Sequence, residues 1–192
     1  MKLYIFLFFS LIVNLSQAQE VVLKSIGAIR VEVPPRMDGF LDDEVWDGAP
    51  IASDFVQGNP YPGKKASQKT EVRILYDNTA MYIGAKLFDV SRDSIIRQLS
   101  QRDSEDNTDV FAISIDTYDD DQSGYGFVVH PTGVQMDARY SQAQGQDMSW
   151  NAVWESKVTI DDNGWYVEIK IPYSAIRFPE NEIQKWGINF SR

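Results

Sequence analysis

Between residues 164 and 172 apolar and polar side chains alternate without a break. Trp165, Val167, Ile169 and Ile171 fall on one face, and Tyr166, Glu168 and Lys170 on the other. A period of two is the pleat of a β-strand, so this run predicts a strand with one buried face and one wet face. Asp161-Asp162-Asn163-Gly164 precedes it, and Asn-Gly is favoured in tight hairpin turns, so a partner strand is expected over 153–160. A second hairpin is predicted at 70–76 and 81–88, where Val72, Ile74 and Tyr76 alternate with Arg73 and Leu75 and Asp77-Asn78 opens the turn. The stretch 102–137 carries three more strand-like runs, 109–116, 125–130 and 134–137, rich in Val, Ile, Phe and Tyr. An acidic loop joins the first two, and a Pro-Thr-Gly turn joins the last two.

The remaining segments fill in a sheet protein. Residues 20–33 read as strand and connector, stopped by Pro34-Pro35. One helical turn is expected over 41–46, with Leu41, Val45 and Trp46 facing inward, and another over 172–176. A short strand is expected at Phe55, followed by the Gly-Asn-Pro-Tyr-Pro-Gly loop at 58–63. The spacing at 94–99 fits a helical turn or a strand equally. A polar, glycine-bearing loop is expected over 141–151, and a last strand over 186–190. The sum is an all-β, jelly-roll-like antiparallel sandwich of about eight to eleven short strands.

The first eighteen residues stand apart from this pattern. Lys2 supplies a positive start, 3–13 is almost wholly apolar but too short to span a bilayer, and Ser16-Gln17-Ala18 ends in a small residue. This is the form of a secretory signal peptide, so the chain divides into a leader (1–18) and one domain (19–192), destined for the periplasm, outer membrane or extracellular space. The chain holds no cysteine, so disulfides contribute nothing to its stability. A net charge of −10 repels phosphate backbones, which argues against a nucleic-acid partner. The sequence stops at Arg192 straight after a strand-like run, which leads to the expectation of a longer protein.

Catalytic chemistry finds little support. There is no cysteine, a single histidine (His130) and no Gly-x-Ser-x-Gly elbow. A hard-cation site is the first candidate: Asp116, Asp119, Asp120 and Asp121 crowd one loop, although the spacing is not that of an EF-hand. The alternative is a solvated acidic turn. A sugar site is the second candidate, because sugars stack their C–H faces on amphipathic rings and need polar groups at the edges. Trp46, Trp154, Trp165 and Trp186 are in phase with core faces, whereas Trp150 sits in a polar loop and is either a platform or core. Tyr125 and Tyr140 are further rings. Arg102, Asp103 and Asp109 are either edge hydrogen-bonders or members of a structural ion pair. His130 precedes Pro131 and reads as a turn-capping residue; a haem ligand paired with Met136 or Met148 is the alternative.

Several motifs in order resemble one known family. MDGFLDDEVWDGAP, TEVRILYDNTAMYIGAKLFD, the 102–137 stretch, SWNAVW, GWYVEIKIPYSAIRF and WGINFSR are similar to the family 9 carbohydrate-binding-module-like domain. More narrowly, they resemble the version that opens exported proteins ending in an outer-membrane β-barrel of unknown function. The resemblance implies a β-sandwich, structural calcium, a carbohydrate or cell-surface glycan as partner, and a C-terminal barrel. Sugar-binding members clamp a sugar end between two tryptophans and hold it with Glu, Arg and Asn. Here those positions carry Asp106 for one clamp Trp, Ala112 for the Glu, and Val128 and His130 for the Arg and Asn. Sugar binding therefore calls on other residues, for which Trp150, Tyr125, Arg102, Asp103 and Asp109 are the candidates. Calcium calls on Asp116, Asp119 and Asp121. The expectation is a non-catalytic carbohydrate-binding domain. The alternatives are a domain that docks on a barrel or partner protein without sugar, and an accessory module of a glycoside hydrolase.

Overall fold

The structure, a computed structural model, describes residues 24–99, 101–104 and 107–192. The leader at 1–18 and Asp106 lie outside the described residues. Among the described residues ten strands follow in chain order: β1 (Ile29–Arg30), β2 (Thr70–Tyr76), β3 (Ala80–Phe88), β4 (Phe111–Asp116), β5 (Ser123–Val129), β6 (Gln135–Ser141), β7 (Gly145–Asp147), β8 (Glu155–Asp161), β9 (Gly164–Pro172) and β10 (Gly187–Ser191). They form two five-stranded sheets, ordered β1-β2-β3-β9-β8 and β10-β4-β5-β6-β7. Among the described residues the only helical pieces are three short 3₁₀ turns, at Glu44–Trp46, Arg92–Ser94 and Tyr173–Ala175. The protein is an all-β sandwich.

Every pairing is antiparallel except that of β1, which runs parallel to β2 with Ile29 opposite Leu75. The long connection through residues 31–69 makes a parallel return feasible. Pro34 and Pro35, which lack an N–H, follow shortly after this two-residue edge strand. The segment 94–99 is neither helix nor strand beyond the 3₁₀ turn at its start. The polar loop 141–151 contains the edge strand β7, paired to β6 through Arg139 and Asp147.

The two inner faces make the core. Val72, Ile74, Ile83, Ala85, Leu87, Trp165, Val167, Ile169 and Ile171 from one sheet meet Phe111, Ile113, Ile115, Phe127 and Val129 from the other. Trp165 and Trp154 are buried as their phase predicts. Trp186 is only half-buried and packs at the core's edge against Phe178, ring centroids 5.4 Å apart.

The predicted wet face of β9 departs from expectation at one position. Glu168 is 0 % exposed. The segment 36–49 crosses the outer face of the sheet and brings Trp46, 2 % exposed, over Gly84, where a Cβ would meet Leu41 Cδ2 at 2.2 Å and Trp46 at 3.0 Å. Glu168 lies opposite Gly84 in the register. Its carboxylate accepts the N–H groups of Asp38 (3.0 Å) and Gly39 (2.8 Å) and the Trp46 indole N–H (3.2 Å). One acid thus pins the strap to the sheet, and Trp46, Leu75, Ala80 and Tyr82 pack beside it as a second small core. Burial pushes the Glu168 carboxyl above the ordinary carboxylate range, against the pull of the Gly39, Asp38 and Trp46 hydrogen bonds.

The folded state therefore binds the Glu168 proton more tightly than the unfolded state. Its contribution to stability is full at low pH and is lost as pH rises through the raised value. Chemical denaturation at a series of pH values from the ordinary glutamate range upward is expected to show this fall, and to show it flattened in Glu168→Gln. Glu168→Ala strands three donors and is expected to cost on the order of 3 kcal/mol; a cost below about 0.5 kcal/mol would show that the strap is held by other contacts.

Candidate functional site

The inner face of the second sheet changes character along β6. Strands β4 and β5 present Phe111, Ile113, Ile115, Phe127 and Val129 inward. The register then places Gln135, Asp137 and Arg139 in line with Val129, Phe127 and Tyr125. Three polar side chains occupy the row where apolar ones would continue the core, and each takes a partner. Gln135 donates to the Ser156 hydroxyl on β8 (2.9 Å). Asp137, with its side chain 0 % exposed, pairs with the Arg102 guanidinium at 2.5 Å and accepts the backbone N–H of Ala152. Arg139 at the end of the row pairs with Asp147 (3.3 Å).

Asp137 thereby fixes the segment that follows β7. With Ala152 N–H tied to its carboxylate, Trp154 turns into the core against Phe127, ring centroids 5.2 Å apart. Trp150 lies over the end of the sheet, 5.1 Å from the Tyr125 ring and 6.0 Å from Phe127. Tyr125 is held from the other side, because its hydroxyl oxygen accepts the Arg177 backbone N–H (3.0 Å). A pocket of about 380 Å³ results, lined by Tyr125, Trp150, Arg139, Arg177, Asn151 and Ser174, with Ala152, Val153 and Ala175 beside them. Its lining comes from β5, β6, the 150–153 segment and the 174–177 turn after β9.

The sequence-derived candidates separate in this geometry. Tyr125 and Trp150 meet in the pocket wall. Arg102 and Asp103 stand one step behind it. The Arg102 guanidinium donates to Gln135 (2.6 Å) and Asp137, and its Nε lies 3.5 Å from Asp103. Asp103 accepts the Asp137 N–H (3.2 Å). Both are consumed by an ion-pair network and act as positioning residues. Asp109 is elsewhere: its carboxylate takes the Ile96 N–H (3.0 Å) and its own N–H returns to the Ile96 carbonyl (3.0 Å). Sequence reasoning missed Arg139, Arg177, Asn151 and Ser174. For Arg139 a signal existed, since the alternation Gln135, Asp137, Arg139 puts a polar stripe on a core-facing row. For Arg177 none did.

The acidic loop is organised around the Asp116 carboxylate. Both Asp116 oxygens are occupied by the loop's own amides, those of Tyr118 (3.0 Å), Asp119 (2.9 Å), Asp120 (2.9 Å) and Asp121 (2.8 Å). Asp119 is paired with Lys185 (2.6 Å), and Asp119 and Asp121 adopt left-handed backbone conformations that wrap the loop around Asp116. Among the described residues no three His, Cys, Asp or Glu side chains are placed to hold a metal ion. Asp116, Asp119 and Asp121 thus share one capped turn, with Asp116 at its centre. His130 is buried in the β5–β6 turn, where its backbone N–H binds the Val134 carbonyl (2.9 Å) and its carbonyl accepts from Gly133 (2.8 Å). Neither it nor Met136 nor Met148 lines the pocket.

A second concavity, a groove of about 610 Å³, crosses the outer face of the same sheet past Ser114, Gly124, Tyr140, Gln146 and Asn189. Its one ring, Tyr140, lies over Gly126, where a Cβ would stand 2.8 Å from Cε2. The groove is broad and offers a single ring, whereas the smaller pocket offers two rings and four polar side chains.

The chain matches the description "Carbohydrate family 9 binding domain-like" over residues 37–191. It belongs to that family. The family 9 fold is also found in solved structures. A family 9 carbohydrate-binding module from Caldicellulosiruptor kristjanssonii, in complex with cellotriose, aligns with a TM-score of 0.58 at 16% identity over 85% of this chain and 75% of that one. The same module in complex with glucose gives a TM-score of 0.59 at 16% identity, over 85% and 76% of the two chains. A proposed carbohydrate-binding protein from Bacteroides uniformis gives 0.64 at 14% identity, over 85% and 80%. No curated protein matches the chain. At these identities the likeness concerns the fold, and the site in this family 9 domain rests on its own residues.

If Asp137 holds the Trp150 segment, Asp137→Ala should lower stability by about 3 kcal/mol, because it leaves Arg102 and the Ala152 N–H without their buried partner. Thermal and urea melts measure this. A loss under about 0.5 kcal/mol would mean that the segment is held by ring packing alone.

Proposed function

We propose that the chain is a non-catalytic carbohydrate-binding domain that seats a sugar against Trp150 and Tyr125. The observation that carries this is the pocket itself: two half-buried amphipathic rings fixed by the fold, with guanidinium, amide and hydroxyl groups around their edges. A pyranose stacks its C–H face on such rings and satisfies its hydroxyls at the rim. The family supports a binding role, and the Caldicellulosiruptor kristjanssonii module in complex with cellotriose and glucose supports a glucose-type or related ring as ligand. The apolar leader supports export, and we place the domain as the soluble part of an outer-membrane protein that handles polysaccharide.

Isothermal titration of the full chain against a panel of neutral and charged oligosaccharides is expected to give dissociation constants between about 1 mM and 1 μM, or roughly 4–8 kcal/mol. Trp150→Ala is expected to weaken the bound sugar by at least about tenfold. Its ring is only half-buried, so the variant should lose only about 1–2 kcal/mol of stability and remain folded. Undiminished binding in a folded Trp150→Ala variant would contradict the proposed pocket and move the site to the groove over Tyr140.

A further inference from the structure

The charge of the pocket runs against the charge of the chain. The protein holds 28 acidic and 18 basic residues, yet the pocket wall contains Arg139 and Arg177 and no Asp or Glu. The two guanidiniums arrive from different sheets, Arg139 from the end of β6 and Arg177 from the turn after β9, so the fold itself brings them together. They are not equivalent. Arg139 gives one N–H edge to Asp147 (3.3 Å), whose carboxylate is also fixed by the Ser149 N–H (3.1 Å) and hydroxyl (2.6 Å). Arg177 is anchored only through its backbone, by its N–H to Tyr125 and its carbonyl to the Thr117 hydroxyl. Among the described residues its guanidinium has no hydrogen bond or ion pair within the chain.

Hydrogen-bond capacity points the same way. A neutral sugar needs acceptors for its hydroxyl protons as well as donors for its oxygens. Among its side chains this wall is rich in donors: two guanidiniums with five N–H groups each, less those taken by Asp147, beside the Asn151 amide and the Ser174 and Tyr125 hydroxyls as mixed groups. A donor-rich wall with an uncommitted guanidinium matches a ligand that brings its own acceptors. The planar fork of arginine meets a carboxylate through two parallel N–H···O bonds.

Building on the pocket as a sugar site, we propose that its ligand is an acidic glycan, with a hexuronate ring on Trp150 and Tyr125 and its carboxylate on Arg177, assisted by Arg139. Asp147 sets the position of Arg139 and offsets part of its charge, which leaves Arg177 as the principal anion contact.

The test compares trigalacturonate with its fully methyl-esterified form, which keeps the sugar ring and removes the charge. A neutral arm of cellotriose is run beside them on the full chain. The acid is expected to bind about tenfold tighter than the ester, with the preference shrinking as salt is raised. Arg177→Gln is expected to bring acid and ester to parity, and Arg177→Lys to keep part of the preference because it retains charge without the fork. The melting temperature should stay put in both variants, since among the described residues the Arg177 guanidinium makes no hydrogen bond or ion pair. Equal affinity for acid and ester, or an acid preference that survives Arg177→Gln, would overturn the inference and leave the pocket as a neutral-sugar site. Absence of binding in all three arms would overturn both the inference and the pocket on which it rests.

Discussion

A buried carboxylate at the middle of β6 is the constraint on which the site depends. Asp137 sits in a row that should be apolar, with no part of its side chain in contact with water. An isolated charge there would be costly by several kcal/mol, so it must be matched. Arg102 supplies the counter-charge from one side, and the Ala152 N–H supplies a donor from the other. The second of these bonds decides where the chain goes after β7. It ties a segment without regular structure to the sheet at one backbone position. Trp154 then enters the core and Trp150 stays at the rim.

The same device appears on the opposite side of the molecule. Glu168 interrupts the wet face of β9 and gathers three donors from the strap at 36–49. In both sheets a buried acid accepts main-chain N–H groups from a segment without regular structure and so gives that segment one conformation. Asp116 does this a third time at the surface, taking four amides of its own loop. The acidity of the chain is thus partly architectural: several of its carboxylates serve as caps for loops in a protein without α-helices or disulfides among its described residues.

Much of the sandwich was legible because period-two alternation reports directly on a pleated, half-buried strand. The hairpin of β2 and β3 and the strand β9 follow from it, with Asp77-Asn78 and Asn163-Gly164 marking the turns. Alternation reports which face a side chain takes, and it is silent on what another segment lays over that face. Glu168 therefore read as solvated, and Trp186 as deeper than it is. The family resemblance extended over the fold for the same reason, since it lives in strand and turn motifs. At the site the reading was partial. Tyr125 and Trp150 stood out as rings near polar groups. Arg102 and Asp103 were also noticed, but composition could not separate an ion pair that positions a loop from one that meets a ligand. Arg139 and Arg177 are far apart in the chain and meet only when the two sheets stack, so no local pattern announced them.

The central claim is that a sugar docks on the Trp150 and Tyr125 rings. The most direct measurement is a heteronuclear NMR titration that follows the indole N–H signals of the five tryptophans, with that of Trp150 assigned from a Trp150→Phe spectrum. Titration with trigalacturonate, and in parallel with cellotriose, should move the Trp150 signal in step with saturation while the buried Trp46 and Trp165 stay fixed. A bound sugar that leaves the Trp150 signal in place would contradict the account.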